Sequence, residues 1–258
     1  MGHPSLDLTS RTAVVIGGTS GIGRALAKGL AEAGANVVPS SRHLDQVESA
    51  AAEIRDLGRR SLAVPCDVAE RASLQALHDA VCAEFGVVDI LVNCAGITKR
   101  VPVLEVSESD WNRILEINLN GTLRACQIFG RKMIERRQGR IINIASLSSF
   151  VAFHEVAAYG ASKSAVASLT KSLAIEWAPY GVCVNALVPG LFRTKLNTAL
   201  LDGTPRGQEL LMRTPMRRFG QVEELVGAAV FLASEAARFV TGQLLVVDGG
   251  FLASGVNQ

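Results

Sequence analysis

Short apolar runs alternate along this chain with longer amphipathic stretches. Thr12–Ile16 is a continuous apolar run of the kind a buried strand needs, and Gly21–Ala33 follows with apolar residues at helical spacing. The alternation continues with strand Asn36–Ser40, helix Leu44–Leu57, strand Ser61–Pro65, a helix from Glu70 to Phe85 and strand Asp89–Val92. A long helical tract is expected from Ser107 to Arg137, then strand Arg140–Ala145, helix Val156–Ala178 and strand Val182–Leu187. A helix over Val222–Ser234 and a last strand, Gln243–Val247, complete the pattern. Uninterrupted apolar strands separated by helices imply a parallel sheet buried on both faces. The expected fold is therefore α/β: a doubly wound, Rossmann-type parallel sheet of about seven strands with helices on both faces. No repeat or linker divides residues 1–258, so a single domain is expected.

Local punctuation agrees. Ser107 can cap its helix, with Asp110 three residues on. Gly139 and Gly181 stand just before strands, where a helix stops with positive φ. Pro39, inside the second strand, has to lie where no ladder donor is needed.

Composition narrows the partners. Apolar residues make up 48%, enough for a sizeable core. The net charge is +2 and no basic stripe is present, which argues against nucleic acid. The uncharged stretch Ile141–Phe153 falls short of the roughly 18–20 residues of a spanning helix, so no membrane is expected. Met1–Ser10 does not read as a signal peptide. Five widely spaced cysteines, Cys66, Cys82, Cys94, Cys126 and Cys183, fit reduced thiols in a cytoplasmic protein. The scattered His3, His43, His78 and His154 suggest no metal site.

The first strand runs into Gly17-Gly18-Thr19-Ser20-Gly21-Ile22-Gly23 and then a helix. Gly17 allows a sharp turn, and Gly21 and Gly23 allow a pyrophosphate to approach the amides at the helix N-terminus. The spacing G-x-x-x-G-x-G resembles the short-chain dehydrogenase/reductase family, and the resemblance extends over nearly the whole chain. Ile16 replaces the threonine usual in that family before the first glycine.

The resemblance implies a nicotinamide cofactor. At the end of the second strand, a carboxylate would bind the ribose 2′-OH and repel a 2′-phosphate. Ser41 stands there instead, followed by Arg42, and hydroxyl plus guanidinium suit a phosphate. NADP(H) is therefore the expected cofactor, with NAD as the second option. Asp67 and Val68 match the family's adenine-contacting position, where Asp67 alone reads as a helix cap. Asn93-Cys94-Ala95-Gly96 matches the family's Asn-Asn-Ala-Gly, with Cys94 replacing the second Asn. Ala95 and Gly96 are small enough for backbone to lie against a ribose. Pro189, Gly190 and Thr194 resemble the segment that lies against the nicotinamide carboxamide.

Tyr159-Gly160-Ala161-Ser162-Lys163 puts Tyr159 and Lys163 on one helix face. With Ser146 at the end of a strand and Asn118 in the long helix, they match the family's Asn–Ser–Tyr–Lys tetrad. A lysine ammonium about 4–5 Å from the phenol contributes about 3–4 kcal/mol at an effective dielectric near 20. That brings a tyrosine of pKa about 10 toward neutrality as an acid/base. Ser146 can orient the substrate oxygen, Lys163 can also hold ribose hydroxyls, and the family pattern gives Asn118 a water linking Lys163 to solvent.

Arg100, His154, Ser146 and Phe192 are the candidate substrate residues, and Lys99, Arg193 and Lys195 add positive charge to the same loops. An anionic substrate suits such a rim. Leu147, Phe150, Phe153, Leu191 and Leu196 point the other way, to an acyl chain or hydrophobic ketone. The segments 95–100, 189–197 and 214–220 resemble the gluconate 5-dehydrogenase and glucose dehydrogenase-like branch, and the last two also resemble 3-oxoacyl carrier-protein reductases. A sugar acid or polyol is the expected substrate. A carrier-bound acyl group and a non-catalytic nicotinamide sensor or scaffold stand as alternatives. Small residues at Ala157, Ala161, Ala165 and Ser168 permit close helix packing, and the family resemblance implies a homotetramer.

Overall fold

The computed structural model describes residues 3–194, 201 and 203–255. The segment around Lys195 and Leu196 lies outside these described residues, as does the stretch Met1–Gly2 of the expected domain. Six parallel strands form one sheet: β1 (Thr12–Ile16), β2 (Asn36–Ser40), β3 (Ile90–Asn93), β4 (Gly139–Ile144), β5 (Val182–Pro189) and β6 (Leu244–Val247). Their spatial order is β2-β1-β3-β4-β5-β6. The direction of winding reverses between β1 and β3, so the loops after these strands open a crevice at the carboxyl edge of the sheet.

Helices α1 (Gly21–Glu32) and α8 (Val226–Ala233) cover one face; α3 (Arg71–Phe85), α5 (Gly121–Glu135) and α6 (Ala157–Trp177) cover the other. Successive β1 residues divide between them: Ala13 and Val15 enter the first core, Val14 and Ile16 the second. α2 (Leu44–Asp56), α4 (Glu108–Leu115) and α7 (Pro205–Met212) complete the helices used below.

Among the described residues six strands stand where about seven were expected. Residues 61–65 run beside β2 but form no ladder with it. Val37 N–H donates to the Arg60 carbonyl at 3.2 Å, so Pro39, two residues on, turns its nitrogen to the same side and offers no donor. The Ser40 hydroxyl supplies a bond to the Val64 carbonyl at 2.6 Å, and Cys66 N–H closes on Ser41 at 2.8 Å. The segment is thus pinned without being a strand.

The expected helix Ser107–Arg137 is also interrupted. Ser107 caps α4 by accepting from Asp110 N–H at 3.1 Å, as its spacing suggested. Between α4 and α5, however, Glu116–Asn120 forms a π turn, a widening that often accompanies a functional side chain. The turn before β4 takes its positive φ at Arg137, 55°, instead of at Gly139, whereas Gly181 has φ 71° as expected.

Buried polar groups cross-link the sheet to α6. The Asn93 amide donates to Asn143 Oδ1 at 2.9 Å, and Asn143 Nδ2 donates to Thr170 Oγ1 at 3.0 Å. Asn143→Ala removes both partners at a site with no exposure. The expected cost is about 2–3 kcal/mol of unfolding free energy, read by urea denaturation; a loss below about 0.5 kcal/mol would show that the network does not hold the sheet.

Candidate active site

The glycine loop is built by close approach. Gly17 has φ 82°, and a Cβ there would lie 2.6 Å from the Ala95 nitrogen. A Cβ on Gly23 would lie 2.0 Å from the Gly17 carbonyl oxygen. The loop therefore folds tightly onto both β3 and the first turn of α1. Ser20 occupies the N-cap position without a side-chain cap bond, and the first helical bond runs from Arg24 N–H to Ser20. The amides of Gly21, Ile22 and Gly23 precede that bond and have no intrahelical acceptor. Gly21 is exposed, and a Cβ there would meet only Thr194, at 3.6 Å. Thr194, beyond β5, thus comes to the same mouth, whereas Gly190 lies against Asp248, where a Cβ would come within 2.5 Å. These open amides and the short residues around them fit a pyrophosphate.

Thr19 is buried, and its hydroxyl donates to Ser41 at 2.9 Å, with Gln46 Oε1 at 3.4 Å. Ser41 is half-buried and Arg42 is exposed beside it. Asp67 accepts from Ala69 N–H at 3.0 Å and closes the turn before α3, but it is not the helix cap: Glu70 holds the N-cap position, without a side-chain cap bond. Val68 packs against Gly121, where a Cβ would come within 2.8 Å. Asn93 is buried, and its Oδ1 has no partner among the described residues. It borders a narrow cleft with Val68, Ala95, Ile117 and Thr122.

Asn118, in the π turn, is fully buried. Its Oδ1 accepts from Ile97 N–H at 2.8 Å; its Nδ2 donates to the Ile97 carbonyl at 2.9 Å and to Ser162 at 3.0 Å. Ser146 follows β4 and accepts from Ser148 N–H at 3.2 Å. Tyr159 lies in the first turn of α6, with Lys163 one turn on. Lys163 Nζ donates to the Ile144 carbonyl at 2.7 Å and sits 5.8 Å from the Tyr159 ring centre. A Cβ on Gly96 would lie 3.3 Å from Asn118 Oδ1 and 3.5 Å from Lys163 Nζ, so the two flank one point. All four expected residues, with Gly96, thus converge at the carboxyl edge.

Their charge state differs from the sequence-based expectation. Burial pushes the Tyr159 phenol above its ordinary value, and a hydrogen bond with Ser146 pulls it part of the way back. Burial brings the Lys163 ammonium down to about 8. Desolvation outweighs the mutual attraction that sequence spacing alone suggested. Tyr159 is a neutral phenol across the neutral range, and Lys163 is charged below pH 8 and progressively neutral above it.

The expected substrate residues fare unequally. Phe192 is buried in the core, packed against Gly220, and borders a cavity shared with Thr214, Met216 and Asp248. It lies three residues beyond β5, bridged to Gly220 and packed into the core on the α1 side of the sheet. Lys99 pairs with Asp110 at 2.6 Å, Arg100 pairs with Glu155, and Arg193 stacks over Phe219 at 5.4 Å. His154 is exposed, 3.7 Å from Glu155. Of the apolar set, Leu147 is buried in the core, Phe153 rests against Phe251 at 6.0 Å, and Phe150 is exposed. Ser162, Gln46 and Glu155 have no sequence signal: each is an ordinary polar residue until the fold brings its partner alongside.

A family profile described as "Enoyl-(Acyl carrier protein) reductase" matches residues 17–252. The chain belongs to the short-chain dehydrogenase/reductase family. This dehydrogenase/reductase is 42% identical over 258 residues to gluconate 5-dehydrogenase of Gluconobacter oxydans (strain 621H), covering 98% of this chain and 100% of the relative. It is 43% identical to D-threitol dehydrogenase of Mycolicibacterium smegmatis, covering 95% and 94%. The crystal structure of a gluconate 5-dehydrogenase from Burkholderia cenocepacia J2315 in complex with NADP and tartrate superposes with a TM-score of 0.94 at 44% identity, covering 97% of this chain and 98% of that one.

In this dehydrogenase/reductase, burial pushes the Cys94 thiol up to about 11, with Lys163 pulling it down by a lesser amount. At pH 8 about one Cys94 in a thousand is then thiolate. Native protein treated with iodoacetamide at pH 8 is expected to keep Cys94 unmodified while urea-unfolded protein is alkylated, as peptide mass mapping will show. Rapid native alkylation would make Cys94 a reactive thiol and not a packing residue.

Proposed function

We propose that this chain is an NAD(P)(H)-dependent enzyme that interconverts a secondary alcohol and a ketone on a sugar acid or polyol, with NADP(H) preferred. The observation that carries this reading is the convergence of Asn118, Ser146, Tyr159 and Lys163 beside the glycine loop. The residues that would hold the cofactor are the loop Gly17, Thr19, Ser20, Gly21, Ile22 and Gly23 at the pyrophosphate and Ser41 and Arg42 at the ribose phosphate. Asp67, Val68, Asn93, Ala95 and Gly96 would lie around the adenosine, and Tyr159, Lys163, Pro189, Gly190 and Thr194 around the nicotinamide half. When bound, the nicotinamide exchanges the hydride with the substrate carbon.

The protein's own part is at the oxygen. In reduction the Tyr159 phenol, kept protonated by burial, gives its proton to the substrate oxygen as negative charge develops there. Ser146 donates a second hydrogen bond to that oxygen. Lys163, held by the Ile144 carbonyl, stabilises the phenolate left behind. Asn118 keeps one Oδ1 lone pair beyond its bond to Ile97, on the side of Gly96 and Lys163, where a water can return the proton.

A short polar substrate is favoured over an acyl chain because Leu147 and Phe153 are engaged in packing. The names of the gluconate and threitol dehydrogenases, and the NADP complex of the Burkholderia relative, support the same choice. We also propose that residues 1–258 form one NAD(P)-binding domain, and that the protein works as a cytoplasmic homotetramer. The exposed small residues Ala157, Ala161 and Ser168 on α6 support assembly, and five unpaired thiols support a reducing compartment. No helix among the described residues is long and apolar enough to cross a membrane.

The test compares kcat/KM for gluconate, a neutral polyol and a 3-oxoacyl thioester in the parent enzyme and in Tyr159→Phe. Gluconate or the polyol is expected to be the best substrate, and the Phe variant is expected to fold, bind cofactor and lose nearly all turnover. Best turnover of the thioester, or substantial activity without the phenol, would overturn the reading. Arg42→Ala is expected to raise KM for NADP(H) about tenfold or more, the loss of one charge-assisted bond, with KM for NAD(H) nearly unchanged. Equal losses for both cofactors would show that Arg42 does not read the 2′-phosphate.

A further inference from the structure

Two loops flank the crevice where substrate enters: residues 94–102 after β3, and residues 145–156 between β4 and α6. They meet at Glu155. Its carbonyl accepts from Val101 N–H at 2.8 Å, and its carboxylate pairs with Arg100 through Nε. Glu155 has φ 65°, a conformation rare for side chains of its kind and kept only where neighbouring contacts over-determine it. Those contacts are on both sides. Arg206 of α7 donates to the preceding carbonyl, that of His154, at 3.3 Å, and α6 begins two residues later at Ala157.

The loop carrying Arg100 is held at its other end too. Ile97 is fixed through both backbone groups by Asn118. The stretch from Ile97 to Val101 is thus clamped at each end, and the one exposed guanidinium on it is further tied by Nε. An arginine has five donors in a rigid fork. Nε is the donor that meets Glu155, the terminal N–H groups of Arg100 make no hydrogen bond among the described residues, and the side chain is half-exposed. Glu155 also cancels most of the net charge of Arg100. Recognition of an anion there then depends on the direction of the remaining donors more than on net positive charge.

We propose that Glu155 is a positioning residue for substrate specificity: it aims the Arg100 guanidinium at the carboxylate of an acidic sugar substrate. The assignment rests on the sugar-acid reading above. Glu155 itself touches neither substrate nor cofactor; it acts through Arg100.

The test measures kcat and KM for gluconate and for sorbitol, with NADP, in the parent enzyme and in Glu155→Ala, Glu155→Gln and Arg100→Ala. Glu155→Ala is expected to raise KM for gluconate about tenfold, with kcat and the sorbitol KM within about twofold, the size of one misaligned charge-assisted hydrogen bond. Glu155→Gln retains an acceptor for Nε and is expected to recover most of that loss. Equal rises in KM for both substrates would mean that Glu155 only supports the loop, and an unchanged gluconate KM would mean that it has no role; either overturns the proposal. If Arg100→Ala shifts the gluconate-to-sorbitol ratio and Glu155→Ala does not, the positioning role alone falls. If neither variant shifts the ratio while the parent enzyme turns over gluconate, Arg100 does not read the carboxylate, and the positioning role falls while the sugar-acid reading stands. If the parent enzyme does not turn over gluconate, the sugar-acid reading falls and takes the positioning role with it.

Discussion

The amide of Asn118 is the contact on which the site depends. One side chain satisfies both backbone groups of Ile97 and reaches Ser162 on α6. A buried amide can do this only if the helix carrying it opens locally, and the π turn Glu116–Asn120 supplies that opening. The loop after β3 is thereby fixed against α6, which brings Gly96 beside Lys163 and sets Arg100 at the crevice. Because β3 lies next to β1, the same clamp brings Ala95 against Gly17 and closes the glycine loop.

Burial then decides the electrostatics. Desolvation drives both Tyr159, which is half-buried, and Lys163, which is buried, toward their neutral forms. The protein thus stores a protonated phenol with a lysine whose charge is lost near pH 8. A bound substrate oxygen finds a proton donor ready for reduction, and oxidation requires that proton to leave first. At the rim the rule is pairing instead of burial. Lys99 and Arg100 each meet a carboxylate, so their share of the basic rim expected from the loop sequences is neutralised, and selectivity there passes to the geometry of individual donors.

Much of this was legible along the chain because it is local. Apolar runs mark the strands β1 to β6, since a strand buried on both faces tolerates few polar residues. The glycine spacing marks the phosphate loop because only glycine accepts its φ and its backbone contacts. The i, i+4 spacing of Tyr159 and Lys163 puts them on one face of any helix. Ser107 and Asp110 form the cap that their separation suggested. The seventh strand failed for an equally local reason: Pro39 turns a missing donor toward residues 61–65, and an apolar run without that rung stays beside the sheet and outside its ladder.

What the sequence by itself determined is therefore the alternation of strands and helices, the phosphate loop, and the identity of the four residues that meet at the crevice. Tertiary structure alone decided how they meet. The break in the long helix at Asn118 arises from a bond to Ile97, 21 residues away. The tie between Arg100 and Glu155 spans 55 residues. Phe192, expected to be a substrate contact, is buried against Gly220 at the edge of a cavity. Tyr159 and Lys163 keep the spacing that suggested mutual attraction, yet their charges are governed by desolvation. Hydrogen bonds, ion pairs and solvent exclusion between distant segments depend on where the folded chain places them, and no local periodicity encodes that placement.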